Sequence, residues 1–229
     1  MNGGLTVRLA SGPDDLARLR ALRARAFGLA CDEDPWDLGA RHLMVERADG
    51  DVGEPVATLR LRAWPDGRAA AQGSYSAQHY DLAPFAGEAG PLLEIGRLTL
   101  PPGPPGAEAA RALFAALARI VLADRVRWLF GCAALSGADP ARHGATLAAL
   151  AAHVGPAALR PHPRAGAIPL PPPGPGRPAP LFAFYLSLGG WLSDHAVADA
   201  ELDTLHLFTA VDIAAIPPAR AEALRRLAE

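Results

Sequence analysis

The sequence predicts an α/β fold in which helices flank a mixed sheet. Short segments with the apolar or alternating pattern of strands recur along the chain, at residues 5–9, 42–46, 56–62, 92–100, 128–135 and 204–213. Segments with helical spacing separate several of them, and 50% of the 229 residues are hydrophobic, which is enough for a sizeable core. The order predicts antiparallel strands first and partly parallel strands at the centre. We expect one domain over residues 1–229.

The helices and loops have equally local signals. Pro13 suits the first turn of a helix that Gly28 ends. The hairpin of strands 42–46 and 56–62 has turn-forming residues at 48–53. Further helices are predicted over 107–124, 139–154 and 219–228. The segment 155–180 is rich in Pro and Gly and predicts an extended surface loop, whereas 181–192 fits a helix or a strand.

Composition excludes several classes of protein. The net charge of −2 gives no bulk attraction to nucleic acid, and none is expected as a partner. Arginine supplies every basic residue, which indicates codon bias rather than a phosphate-binding surface. The two cysteines, Cys31 and Cys132, form no CxxC motif, and neither a signal peptide nor an 18-residue apolar run is present. We therefore expect a cytoplasmic protein.

The strand at 92–100 carries two charges in an apolar setting. Glu94 and Arg97 flank Gly96, and an unpaired buried ion costs several kcal/mol. Glycine at this point suggests a bulge or a close approach of the backbone. One interpretation is a structural ion pair at the strand end. The other is a site that presents a carboxylate, a guanidinium and free backbone N–H groups to a substrate, and the rest of the chain favours it.

Other polar groups have two interpretations each. The acids of segment 31–39 surround Trp36 and form either a solvated loop or a pocket for an ammonium group. The seven histidines form no ligand motif, so no metal site is expected. Cys132 and Ser136 lack the setting of an activated nucleophile. The aromatic residues of 182–191 fit a core better than an acyl tunnel.

Several motifs in order resemble one family. They are LRARAF, DEDPWDLGARHLMV, VATLRLR, SYSAQHYDLAPF, EIGR, WLFGCAALS, FYLSLGGWL and DTLHLFTAVDI, and they extend from about Arg20 to Ile213. Together they resemble the bacterial ornithine N-acyltransferases, which are relatives of acyl-homoserine-lactone synthases. The resemblance implies the GNAT acyltransferase fold, a mixed sheet flanked by helices.

The resemblance also implies an activity and a set of site residues. The family transfers a fatty acyl group, typically 3-hydroxylated, from acyl carrier protein to the α-amine of ornithine, the first step of ornithine lipid synthesis. No cofactor is bound permanently, since the acyl donor is carried on the phosphopantetheine of acyl carrier protein. Peripheral contact with the inner membrane is a further expectation. The residues that match family positions are Arg23, Phe27, Asp34, Asp37, Arg60, Glu94 and Arg97.

Each matched residue has an expected role. Arg23 and Phe27 correspond to the pair that lines the acyl-donor side in the lactone synthases. Glu94 is the expected base, acting directly or through water, and N–H groups near Gly96 are expected to bind the oxyanion. The acidic pair Asp34 and Asp37 is expected to hold the side-chain ammonium of ornithine. The carboxylate of ornithine is expected to be bound by Arg60 or Arg97.

The loop after the key strand favours a carrier protein over coenzyme A. GNAT enzymes that use acetyl-CoA bind its pyrophosphate with backbone N–H groups at a helix N-terminus. Here the loop is PPGPPGAE, whose four prolines lack N–H groups, and Glu108 is expected in the first helical turn, where it would repel an anion.

The chain departs from the family at some positions. Leu98 and Thr99 replace the usual Ser-Cys pair, His79 replaces a glutamate, and the segment around and after Gly106 is rich in Pro and Ala. Two alternatives therefore stay open. One is an acyltransferase with another amine acceptor, including a lactone-synthase activity that needs S-adenosylmethionine. The other is a catalytically silent protein that binds acyl carrier protein or lipid.

Overall fold

A computed structural model describes residues 4–48 and 53–228. The chain forms two compact units. The first contains Met1–Arg62, Ile95–Arg125 and Glu222–Glu229, and the second contains Ala63–Glu94 and Val126–Ala221. The single domain expected over 1–229 stays a prediction.

The first unit contains a four-stranded arrangement with two long helices. Its order is β1-β2-β3-β4, and β1 pairs antiparallel with β2, as β2 does with β3. The predicted turn at 48–53 falls mainly on 49–52, outside the described residues. Gly28 ends the first helix with a left-handed φ of 70°. The elements are β1 (Leu5–Leu9), α1 (Gly12–Phe27), β2 (Arg41–Arg47), β3 (Glu54–Trp64), the end of β4 (Leu92–Thr99), and α4 (Pro104–Ala123).

The second unit is built on antiparallel strands. Its strand order is β5-β9-β8-β6, and β7 also pairs with β9. Its elements are α2 (Gly67–Gly73), α3 (Ser76–His79), the start of β4, β5 (Trp128–Ser136), α5 (Gly144–Leu150), β6 (Ile168–Pro169), α6 (Pro180–Ser187), β7 (Trp191–Leu192), β8 (His195–Asp199), β9 (Thr204–Asp212) and the start of α7 (Pro218–Ala228).

Aromatic side chains fill the core of the second unit. Phe85 lies 5.2 Å from Trp128 and 5.8 Å from Phe130 between ring centroids, and Phe208 packs against both Phe85 and Phe130. Tyr80 is fully buried in the same cluster. Rings of this size bury a large apolar area each and fix the position of β5 against β9.

Most predicted elements are present, with local differences. The helix expected over 139–154 is shortened to α5, with 3₁₀ turns on both sides. Residues 181–192 form α6 followed by β7, and the loop at 155–180 contains only the two-residue β6. The helices α2 and α3 and the strand β8 were not predicted. No helix among the described residues is long and apolar enough to cross a membrane.

Candidate active site

A buried ion-pair network lies in the first unit and is centred on α1. The Arg23 side chain is fully buried and donates from Nη1 and Nη2 to both carboxylate oxygens of Asp37, at 2.9 and 2.7 Å. Arg23 Nε also lies 2.6 Å from Asp32 Oδ2. Arg20 approaches Asp37 from the side at 3.1 Å. A two-pronged guanidinium–carboxylate pair of this kind fixes geometry as well as charge.

The strands contribute the other half of this network. Arg60 on β3 donates from Nη1 to Asp34 Oδ2 at 2.6 Å, and Arg97 on β4 reaches the same oxygen at 2.8 Å. Asp34 Oδ1 accepts from the backbone N–H of Trp36 and thereby caps the start of the 3₁₀ turn at Pro35–Asp37. One aspartate therefore holds the acidic loop and two strands together.

The buried aspartates of the network are paired with arginines within it. Three buried aspartates, at 32, 34 and 37, face the guanidinium groups of residues 23, 60 and 97, and Arg20 adds a partly exposed positive charge. Burial alone would raise the pKa of Asp37, but the hydrogen bonds and charge of Arg23 hold it below its usual value. Asp37 is therefore charged at neutral pH and paired within the protein.

The backbone of β4 is distorted at Arg97. Its φ is 51°, a left-handed conformation that is rare for a side-chain-bearing residue inside a strand. Such a conformation costs of order 1–3 kcal/mol and is retained where surrounding contacts fix it. Here the guanidinium lies between Asp34 and the ring of Phe27, 5.8 Å from the ring centroid. The irregularity expected at Gly96 therefore lies one residue later.

Glu94 lies in the second unit, where its carboxylate binds the start of α3. Oε1 accepts from Ser76 N at 2.8 Å and from Ser76 Oγ at 2.7 Å, and Oε2 accepts from Tyr75 N at 3.2 Å. Glu94 is 5% exposed, and Cys132 Sγ lies 3.7 Å from the Ser76 hydroxyl. The carboxylate is thus ordered by backbone N–H donors and contacts one hydroxyl that is able to relay a proton.

A second polar cluster of this unit contains imidazole groups. His79 at the end of α3 and His206 on β9 have ring centroids 4.7 Å apart, and Asp199 completes a group whose ligand atoms lie within 4.8 Å of one another. Among the described residues, these three side chains have the composition of a metal site. No sequence motif indicated them, because they come from three separate elements.

The first unit also has an open groove of about 450 Å³. It is lined by the C-terminal half of α1, by Arg47 and Glu54–Val56, and by Thr99–Pro102. Most of the lining is apolar, and Arg25 adds a positive charge. None of the predicted site residues lines this groove.

The start of α4 is poor in hydrogen-bond donors. Pro104 and Pro105 occupy the first two helical positions, and the N–H of Gly106 already donates to Gly103 O at 3.0 Å. Glu108 was expected in the first turn, but α4 begins at Pro104 and its first turn contains no acid. The helix start therefore lacks the free N–H groups that grip a pyrophosphate.

The fold brings most of the predicted site residues together. Arg23, Phe27, Asp34, Asp37, Arg60 and Arg97 form one cluster in the first unit. Glu94 precedes Arg97 by three positions on β4 and is bound by α3 of the second unit. Sequence reasoning missed Ser76, whose hydroxyl binds Glu94, and His42, which lies beside Asp37. Neither has a local pattern that would have indicated it.

Comparison with known proteins assigns the class of this protein. A model of the acetyltransferase (GNAT) domain matches residues 20–103. The fold resembles that of FeeM, an N-acyl amino acid synthase from uncultured soil microbes, with a TM-score of 0.55, 15% identity and coverage of 93% of this chain and 94% of that one. It also resembles TofI in an apo form, with a TM-score of 0.50, 17% identity and coverage of 96% and 99%. The molecule is a GNAT-fold acyltransferase.

A curated relative defines the family more narrowly. An L-ornithine N(alpha)-acyltransferase of Rhodobacter capsulatus is 31% identical over 218 residues, which cover 86% of this chain and 81% of that protein. The chain belongs to the L-ornithine N(alpha)-acyltransferase family, as its motifs predict.

Proposed function

We propose that this enzyme transfers a fatty acyl group, typically 3-hydroxylated, from acyl carrier protein to the α-amine of ornithine. The similarity to the Rhodobacter capsulatus enzyme, which extends over most of both chains, carries this proposal. The product would be the lyso precursor of ornithine lipid. In the reaction the amine nitrogen bonds to the thioester carbonyl carbon, the C–S bond breaks, and the amine proton ends on the released thiol.

The donor proposed is acyl carrier protein rather than coenzyme A. The start of α4 has prolines at its first two positions, and the next N–H, that of Gly106, donates to the carbonyl oxygen of Gly103. A pyrophosphate would find few free donors there, whereas the single phosphodiester of a phosphopantetheine arm needs fewer. This observation supports the donor predicted from the loop sequence.

Glu94 is proposed as the proton acceptor, with Ser76 as its relay. Both oxygens of Glu94 are ordered by α3, and its bond to the Ser76 hydroxyl gives a path for a proton into a buried carboxylate. The distorted backbone at Arg97 is proposed to free N–H groups for the tetrahedral oxyanion.

The ion-pair network is proposed to shape the acceptor site. Arg23 and Asp37 have no exposed side-chain surface, whereas the side chain of Arg97 is 12% exposed. Of the two arginines expected to bind the carboxylate of ornithine, Arg97 is more exposed than Arg60, whose side chain is 5% exposed, and both contact Asp34. Asp37 and Arg23 hold these two in position.

The location follows from the proposed donor and product. Acyl carrier protein as the donor implies a cytoplasmic reaction, and a lipidic product implies peripheral contact with the inner membrane. Flotation of the purified enzyme with liposomes that contain anionic lipid tests this contact. Absence of the enzyme from the floated fraction would contradict the proposed membrane contact.

The first experiment uses a bacterial host that makes no ornithine lipid. Lipid extracts with and without the gene are compared by mass spectrometry, and new N-acyl-ornithine is expected. Glu222→Gln on the exposed surface of α7 serves as a control that retains the product. A new acylated amine that is not ornithine would show that the acceptor is a different amine. The absence of any product when acyl carrier protein is coexpressed would contradict the proposal.

The second experiment uses purified enzyme. Ornithine is offered with an acyl-carrier-protein thioester or with the matching acyl-CoA, and a higher kcat/KM for the carrier protein is expected. Equal use of both donors would contradict the donor assignment. Supplying S-adenosylmethionine instead of ornithine tests the lactone-synthase alternative, and binding of the carrier protein without turnover would support the catalytically silent one.

A further inference from the structure

Three side chains of the second unit converge from separate elements. His79 is the last residue of α3, Asp199 is the last residue of β8, and His206 lies on β9. One nitrogen or oxygen of each lies within 4.8 Å of the others. His206 is 2% exposed, and the other two are half-buried. The group is therefore open to solvent on one side and fixed on the other.

The hydrogen bonds of His206 determine which nitrogen is available. The hydroxyl of Tyr80 donates its proton to the carbonyl oxygen of His206 at 2.8 Å, and the same hydroxyl lies 3.2 Å from Nδ1. Because that proton is already committed, Nδ1 must carry a hydrogen and donate to the tyrosine oxygen. Nε2 then has a free lone pair, and it is buried with no hydrogen-bond partner in the described part of the chain.

This arrangement is the one that metal-binding histidines adopt. A ligand imidazole usually donates its second N–H to a neighbouring group, which fixes the tautomer and the ring orientation. Asp199 is ordered as well, since its Oδ1 accepts from Glu201 N and Leu202 N.

We propose that His79, Asp199 and His206 bind a divalent cation of borderline softness, with Zn²⁺ as the best match. Two imidazoles and one carboxylate are a common set of three protein ligands for zinc and leave a fourth position for water. Tetrahedral ligands around zinc lie roughly 3.4 Å apart, so side-chain shifts of the order of 1 Å close the site. The sequence predicts no such site because its histidines are scattered.

A cation at this position would fix α3 at both ends. Glu94 binds the N–H groups of the first residues of α3, and His79 ends the same helix. The cation would tie that end to the β8–β9 hairpin. It would thereby hold in place the short helix that orders Glu94.

The test is direct binding of Zn²⁺, measured without reference to acyl transfer. Enzyme stripped with a chelator is titrated with ZnCl₂ by calorimetry and with Co²⁺ by visible absorption, in which tetrahedral d–d bands are expected. His79→Gln and Asp199→Asn should each weaken binding by more than about 100-fold, because each removes a ligand. His153→Gln, on an exposed 3₁₀ turn of the same unit, is the matched control and should bind as wild type does.

Tyr80→Phe supplies a further arm of the test. It removes the acceptor that fixes Nδ1 of His206 and leaves all three ligands, so a loss of about 10- to 100-fold is expected. Stoichiometric Zn²⁺ binding that His79→Gln and Asp199→Asn do not alter would overturn the site, as would no binding to the stripped wild-type enzyme. These outcomes do not depend on which acceptor the enzyme uses.

Discussion

The two units of this enzyme differ in how their buried polar groups are partnered. In the first unit, three buried aspartates meet the buried Arg23 and Arg60 and the partly exposed Arg97, and the Arg23–Asp37 pair is bidentate and fully buried. In the second unit, Glu94 is ordered by neutral donors, and His206 retains a buried nitrogen without a partner among the described residues. The first arrangement uses its charges to hold a shape, whereas the second retains groups that are able to take up a proton or a cation.

This contrast predicts which substitutions act on folding and which act on chemistry. Removing a member of the ion-pair network should leave a buried charge unpaired and cost stability. Removing Glu94 or a member of the imidazole cluster in the second unit should change activity or ligand binding more than stability. The predictions that follow separate these effects, beginning with the largest.

Arg23→Ala should have the largest effect on folding. It leaves Asp37 and Asp32 without their main partner in a buried site, and the loss of one partner of such a pair costs about 3–5 kcal/mol. Urea unfolding of the purified variant measures this loss. Arg25→Ala on the exposed side of the same helix is the control and should stay within about 0.5 kcal/mol of wild type. Equal effects of both would show that the network contributes nothing.

Glu94→Gln should act mainly on turnover. The amide cannot take up the amine proton, and loss of a general base typically costs 100-fold or more, here expected as a fall of about 100-fold in kcat. The amide oxygen still accepts from α3, so the free energy of unfolding should fall by only about 1–3 kcal/mol. Steady-state kinetics with acyl carrier protein and circular dichroism measure the two effects. Full activity would remove Glu94 from the base role.

Gly96→Ala tests whether substrate approaches the backbone closely. The φ of Gly96 is not left-handed, and an added Cβ would lie 3.6 Å from Arg60 Nη2, an ordinary contact. Stability should therefore change by less than about 1 kcal/mol. If an acyl thioester packs against this residue, the methyl group should lower kcat/KM by about 10-fold. Unchanged kinetics would indicate that Gly96 serves no close approach.

His42 gives the smallest effect, a dependence of stability on pH. Burial lowers the pKa of His42, and although Asp37 opposes this, Arg23 and Arg60 add to it. The unfolded chain therefore binds more protons below the reference pKa of 6.5, and the free energy of unfolding should fall as the pH decreases from 6.5. The contribution is at most about 1.4 kcal/mol per pH unit. His42→Gln should flatten this slope between pH 7.5 and 5.5, and an unchanged slope would contradict the prediction.

The sequence by itself determined the elements whose signals are local. Apolar periodicity predicted α1, β4 and β9 at nearly their observed bounds, and Gly28 marked the end of α1. Motif order predicted the acyltransferase family, which the relatives confirm. It also collected most residues of the ion-pair network, because their family positions are recognisable one by one.

Only the tertiary structure decided how those residues are paired. Segment 67–79 is short and rich in Gly, Ala and Ser, and its helix α3 is stabilised by Glu94, a residue distant in sequence. From the sequence, the acids of 31–39 fitted a solvated loop, the usual meaning of such a run, or an ammonium pocket, whereas the structure pairs them with Arg23 and Arg60. His79 and His206 meet only because β9 returns to α3. Local propensity fixes an element through neighbouring residues, whereas a buried ion pair or ligand set depends on contacts between distant segments, which no local pattern records.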